Sequence, residues 1–160
     1  MLFPYGVKNA EDTIFFGHLQ VYAQNIVYYN LLLYRIIEEK GSASRCYDST
    51  ELGLRHVVTI RAVEDVKMSL RGSRKQNAVF DSICYQLLSN TVAFFVKSND
   101  LSFKQFNKVI RRNNLLPLDV HNMYLYRNKA ILMNYSFPLF YFLSWLKHNI
   151  CLSHINFFRK

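Results

Sequence analysis

Residues 80–95, which read FDSICYQLLSNTVAFF, decide the fold class of this chain of 160 residues. Mostly apolar side chains recur there at intervals of three and four residues, the spacing that lines one face of an α-helix. The stripe consists of Phe80, Ile83, Cys84, Leu87, Leu88, Thr91, Phe94 and Phe95. It is the longest and most regular in the sequence, and it predicts a long helix with one side in a hydrophobic core.

Helical patterns also surround this stretch. A second stripe precedes it, at Leu54, Val58, Ala62, Val63, Val66 and Leu70, and residues 71–75 interrupt the pattern. Ser102 and Gln105 have the spacing of a capping box, in which each side chain bonds to the backbone of the other residue. We predict further helices over about residues 120–134 and after Pro138, a residue well suited to a first helical turn.

The first 45 residues have a different pattern. Pro4 and Gly6 favour a loop over residues 1–12, and a helix is predicted over 13–25 with Phe15, Leu19, Tyr22, Ala23 and Ile26 on its apolar face. Residues 26–29 and 32–37 are rich in β-branched and aromatic side chains, which predicts two short strands. The predicted fold is mainly α: two short N-terminal strands and a bundle-like helical body over residues 46–160.

Composition bounds the possible partners. Apolar residues make up 51% of the chain, enough for one domain with a real core, and 20 Lys and Arg against 11 Asp and Glu give a net charge of +9. Such a charge favours nucleic acid, an anionic membrane surface or a phosphorylated ligand. The basic residues form three clusters, and their common meaning is a solvated face: Arg71, Arg74 and Lys75; Lys104, Lys108, Arg111 and Arg112; Arg127 and Lys129.

The most hydrophobic segment covers residues 130–146. It contains Asn134, Ser136 and Pro138, so we interpret it as a core or interfacial helix and not as a membrane span. With Trp145 and the basic clusters it suits contact with anionic lipid headgroups. The three cysteines are scattered, which favours reduced thiols and provides no metal-site spacing.

Glu11 and Asp12 are the strongest candidates for chemistry. A structural reading makes Asp12 the N-cap of the helix that follows, with both carboxylates at the positive end of its dipole. A functional reading makes one of them a general base or a metal ligand. Taken without the rest of the sequence, Glu11 and Asp12 favour the structural interpretation.

The wider succession of elements changes this balance. Five segments follow in order: Glu11-Asp12-Thr13-Ile14-Phe15-Phe16, an amphipathic helix, Ile26-Val27-Tyr28-Tyr29, Leu33-Tyr34-Arg35 and Gly41-Ser42-Ala43-Ser44. This order resembles the second half of the catalytic domain in family 2 glycosyltransferases of the GT-A fold, in particular bacterial enzymes of surface polysaccharide synthesis. The resemblance covers about residues 5–45 and implies that this part is the C-terminal remnant of a GT-A α/β domain.

The resemblance also implies roles for individual residues. Asp12 takes the position of the catalytic base that accepts the proton of the acceptor hydroxyl, and Glu11 orients the site or contacts the acceptor. Arg35, Ser42 and Ser44 lie near the diphosphate leaving group. Arg35 is as readily explained as a strand residue that pairs with Glu38 or Glu39, and the serines as turn residues.

One departure from the family is large. Such enzymes bind a nucleotide sugar and its Mg or Mn ion through an Asp-x-Asp motif in an N-terminal half, and this chain contains no Asp-x-Asp. We therefore expect that the chain is a truncated copy of such an enzyme, that its start has been assigned wrongly, or that it is one piece of a split protein. In each case we expect these 160 residues to be inactive alone. The expected partners of the complete enzyme are a nucleotide-sugar donor and a glycan or lipid-linked acceptor.

Two other functions remain open. The charge and the aromatic content suit a helical nucleic-acid-binding protein, although no recognised binding motif appears. They also suit a peripheral membrane protein without catalysis. For the glycosyltransferase interpretation, the expected location is the cytoplasm, at the inner face of the cell membrane.

Overall fold

A computed structural model describes residues 11–23, 27, 48–70, 73–98 and 102–157. These residues form six helices and, within the described ranges, no β-strand. The helices are α1 (Glu11–Tyr22), α2 (Ser49–Leu70), α3 (Arg74–Ser98), α4 (Phe103–Arg112), α5 (Arg127–Tyr135) and α6 (Phe137–Phe157).

Helix α3 is the centre of the fold, and α1, α2 and α6 all pack against it. Every residue of its predicted stripe is buried except Phe94, which is partly buried. The regular three- and four-residue spacing therefore predicted both the helix and its core face correctly. Burial of a large apolar side chain stabilises a fold by about 1.5–3 kcal/mol, so this stripe is the largest local contribution to the core.

The sequence analysis placed the buried face of helix α2 correctly in its second half and wrongly in its first half. Val63 is buried, and Ala62, Val66 and Leu70 pack against the core. Leu54 and Val58, assigned to the apolar stripe, are 42% and 54% exposed. The buried face instead contains Gly53, Val57 and Ile60. A Cβ at Gly53 would lie 2.7 Å from the Cε2 atom of Phe95, so only glycine lets the two helices approach this closely.

Helix α1 repeats this arrangement at the other side of the core. The predicted face is wrong, because Leu19 and Tyr22 are exposed while Ile14 is fully buried. Gly17 lies on the buried face, where a Cβ would meet the Cδ1 atom of Ile83 at 3.0 Å. Both α1 and α2 carry apolar residues on more than one side, and in both the glycine-bearing face contacts α3.

Helix α4 begins at the predicted capping box. The Ser102 hydroxyl accepts the N–H of Gln105, and the Gln105 side chain accepts the N–H of Ser102. Its buried face joins an aromatic cluster in which the rings of Phe95 and Phe106 stack 4.2 Å apart. Phe106 also lies against Phe137 of α6, so this cluster connects α3, α4 and α6.

A loop from Asn113 to Tyr126 replaces the first half of the helix predicted over 120–134, and α5 begins only at Arg127. Side chains hold this loop in a non-helical form. Asn134 accepts the Leu118 N–H and donates to the Leu118 carbonyl, both at 2.8 Å. Arg74 Nε donates to Asn122 Oδ1 at 2.8 Å. These bonds supply the partners that a helix would otherwise provide.

The mainly α fold class is thus confirmed. The predicted strands at 26–29 and 32–37 lie outside the described residues apart from Val27, which is not in a strand. The boundary between residues 1–45 and 46–160 stays a prediction, although α1 packs directly on α3.

Candidate functional site

Asp12 lies in the first turn of α1 with its side chain exposed. An N-cap at Asp12 requires the helix to begin at Thr13, but α1 begins two residues earlier, at Glu11, so the predicted N-cap role of Asp12 is wrong. Asp12 Oδ1 accepts the N–H of Thr13 at 2.8 Å. Two residues further on, Ile14 is fully buried, so the core anchors the backbone of this first turn.

A cleft of about 420 Å³ opens between α1, α3 and the loop before α5, and its wall begins at Thr13, the residue after Asp12. Its wall is mostly apolar, with one cationic side chain, and includes Thr13, Phe16, Lys75, Gln86, Tyr124 and Leu125. The aromatic rings and the amide suit contact with a sugar or another amphipathic ring, because such ligands have both apolar faces and hydroxyl groups.

The other predicted site residues are not brought together within the described structure. The backbone of Glu11 starts α1, next to Asp12. Arg35, Ser42 and Ser44 lie outside the described residues. Their roles near a diphosphate therefore stay predictions.

The sequence analysis missed a cluster of charges between α2, α3 and the following loop. Lys67 Nζ lies 2.5 Å from Asp81 Oδ1 and 3.3 Å from Asp119 Oδ2. Asp81 Oδ2 is buried and has no hydrogen-bond partner within the described structure. One local signal was present: Asp81 comes three residues before Cys84 and seven before Leu88, on the buried face of α3.

Burial and charge act against each other in this cluster. Burial raises the pKa of the Asp81 carboxyl, and Lys67 opposes that rise. Burial lowers the pKa of Lys67, but Asp81 and Asp119 outweigh it and hold that pKa above its usual value. Burial also raises the pKa of the nearby Glu64 carboxyl, with Lys67 again in opposition. The arrangement links three segments of the fold, α2, α3 and the loop before α5.

Cys84 is the cysteine whose side chain the structure describes, and it is buried in α3. Burial raises the pKa of its thiol, and the charges of Glu64 and Asp81 add to that rise. The thiol therefore stays protonated and unreactive. Within the described residues, no group of three or more His, Cys, Asp or Glu side chains could hold a metal ion.

A second surface feature lies at the end of the bundle formed by α4 and α6. From Leu139 to Ile150, six large apolar side chains of α6 are 38–52% exposed: Leu139, Phe142, Leu143, Trp145, Leu146 and Ile150. Beside them, Lys104, Lys108, Arg111 and Arg112 are all exposed on α4. Such a large apolar surface on a folded protein is commonly an interaction site.

Within the described residues, α3 is the helix that is long and apolar enough to cross a membrane. Just over half of its most apolar window, 56%, is buried inside the fold. The central helix of a protein core has the same length and composition, so this feature does not distinguish the two environments.

Comparison of the chain with family models, with curated proteins and with solved structures found no match. The functional case therefore depends on the residues themselves and on where the fold places them.

Proposed function

We propose that this chain provides the acceptor-side part of a family 2, GT-A-type glycosyltransferase, with Asp12 as the catalytic base. The sugar is transferred from a nucleotide-sugar donor to a glycan or lipid-linked acceptor in surface polysaccharide synthesis. The observation that carries the proposal is the ordered set of motifs from Glu11 to Ser44, with Asp12 exposed at the start of a helix that is anchored in the core. The short strands at 26–29 and 32–37 belong to this proposal as part of the GT-A sheet.

The chemistry needs a carboxylate at this place. In an inverting transfer the acceptor hydroxyl attacks the anomeric carbon, its proton passes to the base, and the nucleoside diphosphate leaves. A carboxylate within hydrogen-bond reach of the hydroxyl accelerates such a step by about 10²–10⁴-fold. The proposal assigns the acceptor to the cleft lined by Thr13 and Phe16, which begins one residue after Asp12. The donor and its divalent metal bind to the nucleotide-binding half of the same enzyme, and Arg35, Ser42 and Ser44 contact the diphosphate.

The first experiment is to read the DNA upstream of the codon for Met1. We expect an open frame with alternating strands and helices and an Asp-x-Asp motif. The protein from that frame is then assayed for sugar transfer and for donor binding. An upstream region that encodes something unrelated, together with a longer protein that binds no nucleotide sugar, contradicts the proposal.

In that complete enzyme, Asp12→Asn should lower transfer by about 10²–10⁴-fold and leave donor affinity nearly unchanged, because asparagine keeps the hydrogen bonds but accepts no proton. Asp48→Asn is the matched control. Asp48 is also an exposed aspartate at a helix start, where Oδ1 accepts the N–H groups of Thr50 and Glu51 at 2.8 and 3.2 Å. Full turnover by Asp12→Asn would return Asp12 to a purely structural role.

A further inference from the structure

We propose that the surface formed by α4 and α6 binds an anionic phospholipid membrane, with the apolar side chains of α6 inserted between the lipids. The proposal is independent of the catalytic role of Asp12, which lies on α1. It commits to a lipid surface for three reasons: the shape of the apolar surface, the charges that border it and the distribution of charge along the chain.

The apolar side chains of α6 are not confined to the face that contacts the core. Phe137 and Phe140 face the core, and Tyr141 packs on Phe103 of α4 with ring centroids 5.0 Å apart. The remaining sides carry the six exposed apolar residues from Leu139 to Ile150. This is more apolar surface than one soluble face of a helix normally carries, and Trp145 is a residue that favours the membrane interface.

An apolar groove of about 390 Å³ runs along the α4 side of this surface. It is lined by Phe103, Pro138, Tyr141, Phe142 and Trp145, and its wall is almost free of polar atoms. A groove of this width and polarity suits a hydrocarbon chain. We infer that acyl chains of the outermost lipids occupy it when the protein is bound.

Exposed basic side chains lie on both helices that form this surface. Arg111 of α4 lines a cleft with Phe137 and Pro138, which places it beside the first turn of α6. Lys104 and Lys108 are exposed on the same helix, and Lys147 is exposed on α6, four residues after Leu143. Long basic side chains at the edge of an inserted helix reach the phosphate groups of the lipids.

The charge of the chain is concentrated in this part. Residues 101–160 contain nine Lys and Arg but a single acidic residue, Asp119. Residues 1–100 contain 11 Lys and Arg and ten Asp and Glu, which nearly cancel. The net charge of +9 is therefore carried almost entirely by the part of the chain that contains α4 and α6. That polarity orients the protein with this surface toward an anionic bilayer.

The test uses Trp145, the one tryptophan of the chain, as a reporter. The whole protein is mixed with vesicles of phosphatidylcholine alone, or with vesicles in which about one lipid in three is phosphatidylglycerol, which gives the bilayer a negative surface. We expect flotation with the anionic vesicles, a shift of Trp145 emission to shorter wavelength, and loss of binding in high salt. Absence of binding to the anionic vesicles overturns the proposal.

Two matched double variants distinguish the effect of basic residues at this surface from the effect of the net charge of the protein. Lys104→Gln/Lys108→Gln should weaken partition into anionic vesicles by about 30-fold, because each lysine near the surface contributes about fivefold. Arg61→Gln/Lys97→Gln removes the same charge from exposed positions on α2 and α3 and should change partition far less. Equal losses in the two variants would contradict the proposed surface.

A third variant tests insertion. Phe142→Ser/Leu146→Ser changes two exposed residues, so it should keep the fold, measured by circular dichroism, and lose the emission shift of Trp145. Two results would assign the surface to another occupant and overturn the proposal: a stable dimer with Trp145 buried, or Trp145 shielded from acrylamide in the free monomer.

Discussion

The ion pair of Lys67 and Asp81 shows how a partly buried charge affects the stability of this fold. Their ion pair connects α2 to α3, and Asp119 extends it to the loop that precedes α5. The charged side chains face each other in a partly buried place, where each needs the other to offset the loss of water. The pair therefore fixes the geometry of three segments more than it adds net stability.

We expect Lys67→Met to lower the free energy of unfolding by about 1–3 kcal/mol at neutral pH, because the buried Asp81 carboxylate loses its partner. Asp81 then has a folded-state pKa raised further above its unfolded value. The cost is therefore present at neutral pH and falls as the pH drops through that pKa toward about 4. Urea denaturation at pH 7 and pH 5 measures both effects.

The double variant Lys67→Met/Asp81→Leu is the control for this interpretation. Replacement of both charges by apolar side chains removes the unpaired carboxylate, so the double variant should be more stable than Lys67→Met alone. A double variant that is less stable, with no difference between the two pH values, would show that packing and not charge determines the cost.

At the scale of elements, the approach of α2 to α3 depends on Gly53. Phe95 lies against this glycine and stacks on Phe106, so its ring is confined from both sides. Gly53→Ala adds a methyl group where an ordinary Cβ has no room. Overpacking of this kind costs about 1–3 kcal/mol, while the better helix propensity of alanine returns about 1 kcal/mol.

We therefore expect Gly53→Ala to destabilise the protein by up to about 2 kcal/mol, measured by thermal or urea unfolding. In Gly53→Ala/Phe95→Leu the smaller side chain makes room for the methyl group, so the two changes should be less harmful together than their sum. Additive losses would mean that α2 and α3 do not meet at these two residues.

At the scale of the whole molecule, the position of α1 links the proposed site to the helical body. Ile14 is fully buried in the core that α3 organises, and Leu19 on the opposite side of α1 is 43% exposed. The backbone at Asp12 is therefore positioned by packing that involves residues far along the chain. We expect α1 and the body to unfold as one cooperative unit.

Ile14→Ala should lower the free energy of unfolding by about 2–5 kcal/mol, the usual range for a buried isoleucine. Trp145 emission, which reports on α6, should show the same loss as circular dichroism. Leu19→Ala serves as the control and should change stability by no more than about 0.5 kcal/mol. A Trp145 transition that is unaffected by Ile14→Ala would show that the two regions fold separately.

The sequence by itself determined the features that depend on near neighbours. The apolar stripe of α3 repeats every three and four residues, which is the period of an α-helix and not of a strand. The capping box joins Ser102 and Gln105, which are three residues apart. The helical fold class followed from such signals. The motif order around Asp12 is also local, and the proposed function depends on it.

Only the tertiary structure decided which faces are buried and which distant side chains meet. Helices α1 and α2 carry apolar residues on several sides, and the buried side is the one where Gly17 or Gly53 permits close contact with α3. Lys67 and Asp119 are 52 residues apart in sequence, so no local pattern predicts that they meet. Periodicity is a property of one segment, whereas burial and ion pairing depend on the shape of the segment that packs against it.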